Sequence, residues 1–312
     1  MRSSLPPSVA LARCQEYSAD HLQDLLQTLC SAVALPDSLH GQVVLLKPNL
    51  ISSRGPALAC TNPLFVREVA LMLHDRGARV KIGDSPAFGT TASVMARHGM
   101  TEAVADLPVE AVTLKTPVLR TIAGGVQVGI AAEALECDLL LSLPKLKAHN
   151  QMFVTCAVKN FFGTVVGMRK ALLHMTRGGS HDEFARLLHA LPDLLPPSLS
   201  LVDGIEVMHI SGPLAGKPLW LGCVGMSRCP VAMDTAVLDL LELAQERSPL
   251  WRVAHDLRHP GSVSAMIDYP LARPDQFHGA GFVACDCLNP VRFQPLRLVK
   301  SAVRRFRLAL SG

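Results

Sequence analysis

GQVVLLKPNLISSRGPALACTNPLFVREVALMLHDRGARVKIGDSP, residues 41–86, is the stretch that decides the fold. Val43 to Lys47 is a short apolar run after Gly41 and reads as a buried strand, which Pro48 ends. Thr61-Asn62-Pro63 offers a helix start, with proline placed for the first turn. Leu64, Val66, Val69, Ala70 and Leu73 supply the helical period, and Gly77 is the stop. Ala78 to Ile82 forms the next strand, which runs into Gly83-Asp84-Ser85. Strand, helix and strand of these lengths make one βαβ unit, whose two strands are parallel.

The alternation continues outward. Thr90 to Arg97 reads as a helix stopped at Gly99, and Val109 to Leu114 as a strand. Asp138 to Leu143 is a buried strand ended by Pro144. Phe184 to Leu195 is an amphipathic helix with Asp182 as its N-cap. Leu199 to Val202 is a strand ending at Asp203-Gly204, Leu219 to Met226 is strand-like, and Pro230 opens a helix through Leu243. The pattern predicts an α/β fold, a mixed but largely parallel sheet flanked by helices in Rossmann-like layers. Residues 1–246 form the core domain in this reading. From Arg247 to Gly279 the periodicity weakens, so residues 247–312 read as an irregular C-terminal cover segment. It closes with a basic amphipathic helix, Leu296 to Leu310, which either packs on the body or meets an acidic partner or anionic membrane.

Composition narrows the function. With 49% hydrophobic and 18% charged residues, the 312-residue chain can bury a substantial core and is not disordered. A net charge of +4 with 4% aromatics argues against nucleic acid as a partner. No apolar run approaches the ~18 residues of a membrane span. The first residues do not read as a secretory signal, and nine scattered cysteines fit a reducing compartment, so a cytoplasmic location is expected. Cys285 and Cys287 read as two buried core thiols on one strand face.

Four predicted strands end in polar groups: Lys47-Pro48-Asn49, Asp84-Ser85, Pro144-Lys145 and Asp203-Gly204. In an open parallel sheet, ligands bind outside the carboxyl ends of the strands, so these groups converge if their strands are neighbours. Lys145, Lys147 and His149 alternate, which puts them on one face of an extended chain. They form either an anion site or a solvated loop of snorkelling lysines. Lys159-Asn160 lies between apolar blocks and must find partners or face a cavity. The other reading of Lys159 is a structural lysine paired to a strand-end aspartate. Gly163 and Gly167 permit close backbone approach. Lys170 and His174 share a helix face if that segment is helical, and His174 is a candidate base or metal ligand. Asp234 reads as a capping carboxylate rather than a catalytic one, and Cys60 and Cys156 as buried thiols.

KPNL (Lys47–Leu50), TNP (Thr61–Pro63), GDSP (Gly83–Pro86), LPKLKAH (Leu143–His149), VKNFFG (Val158–Gly163), Lys170 with His174, VDGI (Val202–Ile205), SGP (Ser211–Pro213) and PVAMD (Pro230–Asp234) follow in order. Together, from about Gly41 to Leu243, they resemble the bacterial and archaeal family called domain of unknown function 362. Many members of that family carry a ferredoxin-like module with C-x-x-C-x-x-C-x-x-x-C cysteines. This chain has no C-x-x-C, so no [4Fe-4S] cluster of ferredoxin type is expected in it. The resemblance also implies a distant architectural likeness to the N-terminal domain of the nickel-dependent lactate racemases.

The expectation is an enzyme acting on a small anionic metabolite, a carboxylate or phosphate. Lys145, Lys147 and Lys159 hold the anion, Asn160 orients it, and Lys47, Asn49 and Lys170 line the same cleft. His149 or His174 moves a proton, and Asp84 or Asp203 positions a lysine or a cation. The alternatives are a redox accessory protein that docks an electron-transfer partner and a non-catalytic anion-binding module. A homo-oligomer is compatible with either.

Overall fold

The computed structural model describes residues 6–87, 89–166, 173 and 178–291. Its strands are β1 (Ala10–Arg13), β2 (Val43–Pro48), β3 (Arg79–Asp84), β4 (Glu110–Thr113), β5 (Pro117–Ile122), β6 (Val126–Ala131), β7 (Leu139–Leu143), β8 (Lys145–His149), β9 (Phe153–Thr155), β10 (Ser198–His209) and β11 (Lys217–Ser227). Its helices are α1 (Ala19–Ala32), α2 (Pro63–Asp75), α3 (Thr91–Arg97), α4 (Met100–Ala103), α5 (Ala132–Leu135), α6 (Ala157–Asn160), α7 (His181–Ala190), α8 (Pro230–Leu240) and α9 (Pro249–Asp256).

The β2–α2–β3 unit forms as its sequence dictates. The Asn62 side chain accepts from the amides of Leu64 (2.9 Å) and Phe65, with Pro63 at the first helical position. β2 and β3 pair in parallel from Val43↔Arg79 to Leu46↔Ile82. The main sheet runs β1-β11-β10-β7-β2-β3-β4, parallel from β10 to β4 and antiparallel at the β11 and β1 edge. The fold is therefore a mixed, mostly parallel α/β sheet covered on both faces. Val44, Leu46, Leu141, Leu199 and Leu201 pack against α1 and α2 on one face. Leu45 and Leu140 pack against α6 and α7 on the other, and Leu146 and Val202 against α8. Near-continuous apolar strands are what two-sided burial requires.

Pro144 separates β7 from β8 without changing the line of the chain. β10 pairs in parallel with β7 through Ser200 and then with β8 from Asp203↔Lys145 onward. Asp203-Gly204 is thus neither a strand end nor a turn. The strand passes through it to His209, with a register shift between Gly204 and Glu206.

Other boundaries also move. Helix α7 begins earlier than expected, because Ser180, not Asp182, accepts from the Glu183 amide (3.1 Å) as N-cap. Asp182 instead takes a 2.6 Å hydrogen bond from Arg252. Helix α8 ends at Leu240 rather than Leu243. The β5–β6 hairpin, turning at Gly124-Gly125, was not anticipated; it lies off the main sheet and is tied to the segment after α6 by Val166 N donating to Gly129 O (2.9 Å). Cys285 is buried but Cys287 is exposed, and neither lies in a strand, so they are not two core thiols on one strand face.

After α9 the chain is irregular, with 3-10 turns at Pro260–Ser262, Ser264–Met266 and Pro274–Phe277. Phe277 and Phe282 bury against Leu221, Leu238 and Leu241. The basic segment Leu296 to Leu310 lies outside the described residues. Among the described residues no helix is long and apolar enough to cross a membrane.

Candidate functional site

Because β10, β7, β2 and β3 are consecutive neighbours, the carboxyl ends of β7, β2 and β3 bring Lys145, Lys47, Asn49 and Asp84 beside Asp203, midway along β10. Lys47 is fully buried, since it alternates with Leu45 toward the face covered by α6. Its ammonium donates to three acceptors: Asp84 Oδ1 at 2.9 Å, Pro48 O at 3.0 Å and Asn160 Oδ1 at 3.2 Å. Burial lowers its pKa, and the Asp84 carboxylate opposes that shift. Asp84 is held in turn by the amides of Leu50 and Ser85, both at 2.8 Å.

The Asn160 amide is fully engaged. Its oxygen also accepts from Asn49 Nδ2 (2.9 Å), and its nitrogen donates to Lys47 O (3.2 Å) and Ser142 Oγ (2.9 Å). It therefore positions Lys47 and Asn49. Gly163, three residues on, passes so close that a Cβ there would collide with Asp84 Oδ1 and Lys47 Nζ.

Lys145 and Asp203 are register partners on adjacent strands, and their buried charges meet at 2.9 Å. Tyr17, between β1 and α1, closes the group: its hydroxyl donates to Asp203 Oδ1 (2.6 Å) and accepts from Lys145 Nζ (2.8 Å). Burial first, and then the Asp203 charge, push the tyrosine pKa far above its ordinary range, so it stays a phenol. The Asn62 amide completes the shell of Asp203 at 2.9 Å.

Lys147 has a different environment. It is buried, yet its amine meets two neutral acceptors, Asn49 Oδ1 and Ala59 O, and no carboxylate among the described residues. Burial pushes its pKa down to about 7; the charges of Lys145 and Lys159 push the same way, and Cys60 and the Asp84 carboxylate oppose them. Asn49 thereby links the lysines in one chain of hydrogen bonds, Lys147–Asn49–Asn160–Lys47–Asp84. The Cys60 thiol beside it is raised by burial and partly offset by Lys147.

His149 continues the β8 face, but its Nδ1 accepts from the amides of Gln151 (3.0 Å) and Met152 (3.2 Å). A base needs that lone pair, so the expected proton-transfer role does not suit this nitrogen. Lys159 is half-buried at the end of α6, with its ammonium 4.9 Å from the Phe162 ring centre and 5.8 Å from that of Phe184. Asp234 does cap, but across helices: from α8 it accepts from Ala157 N (2.7 Å) and Val158 N (3.4 Å) at the start of α6. Burial raises its pKa to about 7. Lys170, His174 and Gly167 lie outside the described residues.

The sequence reading missed Tyr17, Thr61 and Thr155. Thr61 ties the site together by accepting from Asn49 N (2.8 Å) and donating to Leu143 O (2.7 Å). The TNP motif pointed at it only as a helix start. A lone tyrosine near the N-terminus carries no local signal.

The comparisons agree with the motifs. The sequence profile of a domain of unknown function, DUF362, matches residues 44–239. The chain belongs to the DUF362 family. A thylakoid-associated protein of Synechocystis sp. is 31% identical over 303 residues, covering 96% of this chain and 94% of the relative. Two solved structures are similar at lower identity. The lactate racemase apoprotein from Thermoanaerobacterium thermosaccharolyticum aligns with a TM-score of 0.45 at 13% identity, over 62% of this chain and 50% of that one. A Thermotoga maritima protein aligns with a TM-score of 0.47 at 10% identity, over 70% of this chain and 57% of that one. The chain spans about half the length of those two structures. Among the described residues of this DUF362 member no three or more His, Cys, Asp or Glu side chains group together, and none of the nine cysteines forms a disulfide.

Proposed function

We propose that the chain is an enzyme acting on a small anionic metabolite, a carboxylate or phosphate, at the carboxyl edge of its parallel sheet. One observation carries this reading. Lys47, Lys145 and Lys147 are buried together, and among the described residues two carboxylates meet them, Asp84 on Lys47 and Asp203 on Lys145. Buried charge without a partner is costly, so Lys147 carries a proton only near or below neutrality, and an anionic guest supplies its counter-charge when it does. Lys159, half-buried beside the same group, adds a cation that a guest reaches. Lys147 is the reactive lysine of the group, because an amine with a pKa of about 7 is substantially neutral near neutral pH.

The test is calorimetric titration of the purified full chain with inorganic phosphate and with pyruvate, for the wild type and Lys159→Met. Saturable binding that weakens about tenfold or more in the variant, the loss of one charge-assisted contact, is the expected result. Equal affinity in the variant removes Lys159 from the site, and no binding of either anion overturns the reading.

The cytoplasm is the location this proposal assumes, and the thylakoid association of the Synechocystis relative makes a membrane surface the rival. Fractionation of cells expressing the full chain, with and without a high-salt wash, separates the two.

A further inference from the structure

The three buried lysines do not have equivalent ammonium environments. Lys47 faces three acceptors, one of them a carboxylate, and so uses all three hydrogens of a charged ammonium. Lys145 is held by a carboxylate and a phenol oxygen. Lys147 faces two acceptors, both neutral. A neutral amine has two N–H bonds and one lone pair. Asn49 Oδ1 and Ala59 O account for both N–H bonds, and the lone pair is left uncommitted. A second, independent feature lies on the same face. Thr155 is the cross-strand partner of Lys147, and its buried hydroxyl has no hydrogen-bond partner. Buried hydroxyls in folded proteins are ordinarily partnered, so this one is suited to a ligand oxygen.

We propose that Lys147 is a nucleophile that forms an imine with a carbonyl-bearing anion, so that the substrate class is a small 2-oxo acid or a similar aldehyde or ketone carboxylate. This rests on the anion-site reading above and names its chemistry. The amine lone pair attacks the carbonyl carbon. A C–N bond forms as the C=O π bond opens, and one nitrogen proton passes to the oxygen, giving a carbinolamine. The C–O bond then breaks, hydroxide leaves with the second nitrogen proton as water, and C=N forms. The step is a condensation that releases one water and needs no oxidant or reductant. Thr155 hydrogen-bonds the oxygen that departs. Lys145, paired with Asp203 at 2.9 Å, and Lys159 hold the carboxylate of the guest. The low pKa of Lys147 supports this assignment, since only the neutral amine attacks.

The experiment is reductive trapping. The full chain is incubated with pyruvate and sodium cyanoborohydride, and peptide mass spectrometry locates the secondary amine. The expected result is an adduct on Lys147 and not on Lys47 or Lys145. Its initial rate should rise about tenfold from about pH 6 to about pH 8, following the neutral fraction of an amine with a pKa of about 7. Lys147→Arg abolishes the adduct, Thr155→Val slows its formation, and the exposed Lys217→Met keeps it. Pyruvate binding by calorimetry without an adduct on Lys147, or labelling spread evenly over exposed lysines, overturns the imine and leaves the anion site standing. Failure of both pyruvate and phosphate to bind overturns both proposals.

Discussion

Lys145 and Lys147 sit two positions apart on one strand face, and their neighbours give them opposite chemistry. Asp203 keeps a charge opposite Lys145, and neutral oxygens surround Lys147. A buried pair is costly to break from one side, because the remaining charge keeps its desolvation penalty and loses its partner. Asp203→Asn should therefore destabilise the fold by about 3–5 kcal/mol. Adding Lys145→Met should recover much of that loss, which urea unfolding of the two variants measures. If the losses simply add, the pair is not coupled as the geometry requires. The alternation of Lys145, Lys147 and His149 was legible from sequence, because a strand's period of two is a local property. Which of them meets a carboxylate was not legible. Tyr17, which closes the Lys145 group, lies 128 residues away along the chain.

At the scale of elements, the site depends on a helix too short to stand alone. Helix α6 has four residues, Ala157–Asn160, yet it presents Lys159 and Asn160. An isolated turn of this length has almost no intrinsic stability. Asp234 anchors it by accepting from its first two amides, from a helix some seventy-five residues later. Asp234→Ala should lower stability by about 1 kcal/mol, the usual loss for an N-terminal cap. It should also weaken phosphate binding, because Lys159 and Asn160 lose their fixed turn. Asp234→Asn keeps an acceptor oxygen and should preserve both properties. Denaturation and titration of the two variants decide it. The capping chemistry of Asp234 was readable in its residue type, but the element it caps was not. The opposite held for Asp182, whose carboxylate looked like a cap and instead pairs with Arg252 while Ser180 caps α7.

For the whole molecule, the buried titratable groups set a pH dependence. Asp234 has a folded pKa of about 7 against an ordinary 3.8, so the folded state holds an extra proton between these values. Its contribution to stability falls as pH rises from about 4 to about 7. Lys147 has a folded pKa of about 7 against an ordinary 10.5, so the unfolded chain holds the extra proton there. Its contribution is unfavourable below about pH 7 and is relieved as pH rises toward 10.5. Subtracting the stability curve of Lys147→Met from that of the wild type should leave a slope confined to the alkaline side. The same difference for Asp234→Asn should leave one confined to the acid side. A flat difference curve for Lys147→Met means that Lys147 is not buried as an amine.

The sequence by itself determined the βαβ unit of residues 41–86, the strands that follow it and the presence of polar groups at their carboxyl ends. Those features follow from short-range rules: apolar period, proline and glycine breaks, and helix capping. Only the tertiary structure decided that β10, β7, β2 and β3 are adjacent, that β10 runs on through Asp203, and that among the described residues Lys147 meets neutral oxygens where Lys47 and Lys145 meet carboxylates. Strand order and burial arise from contacts between residues far apart in the chain, and a lysine's charge depends on what those contacts place around its nitrogen.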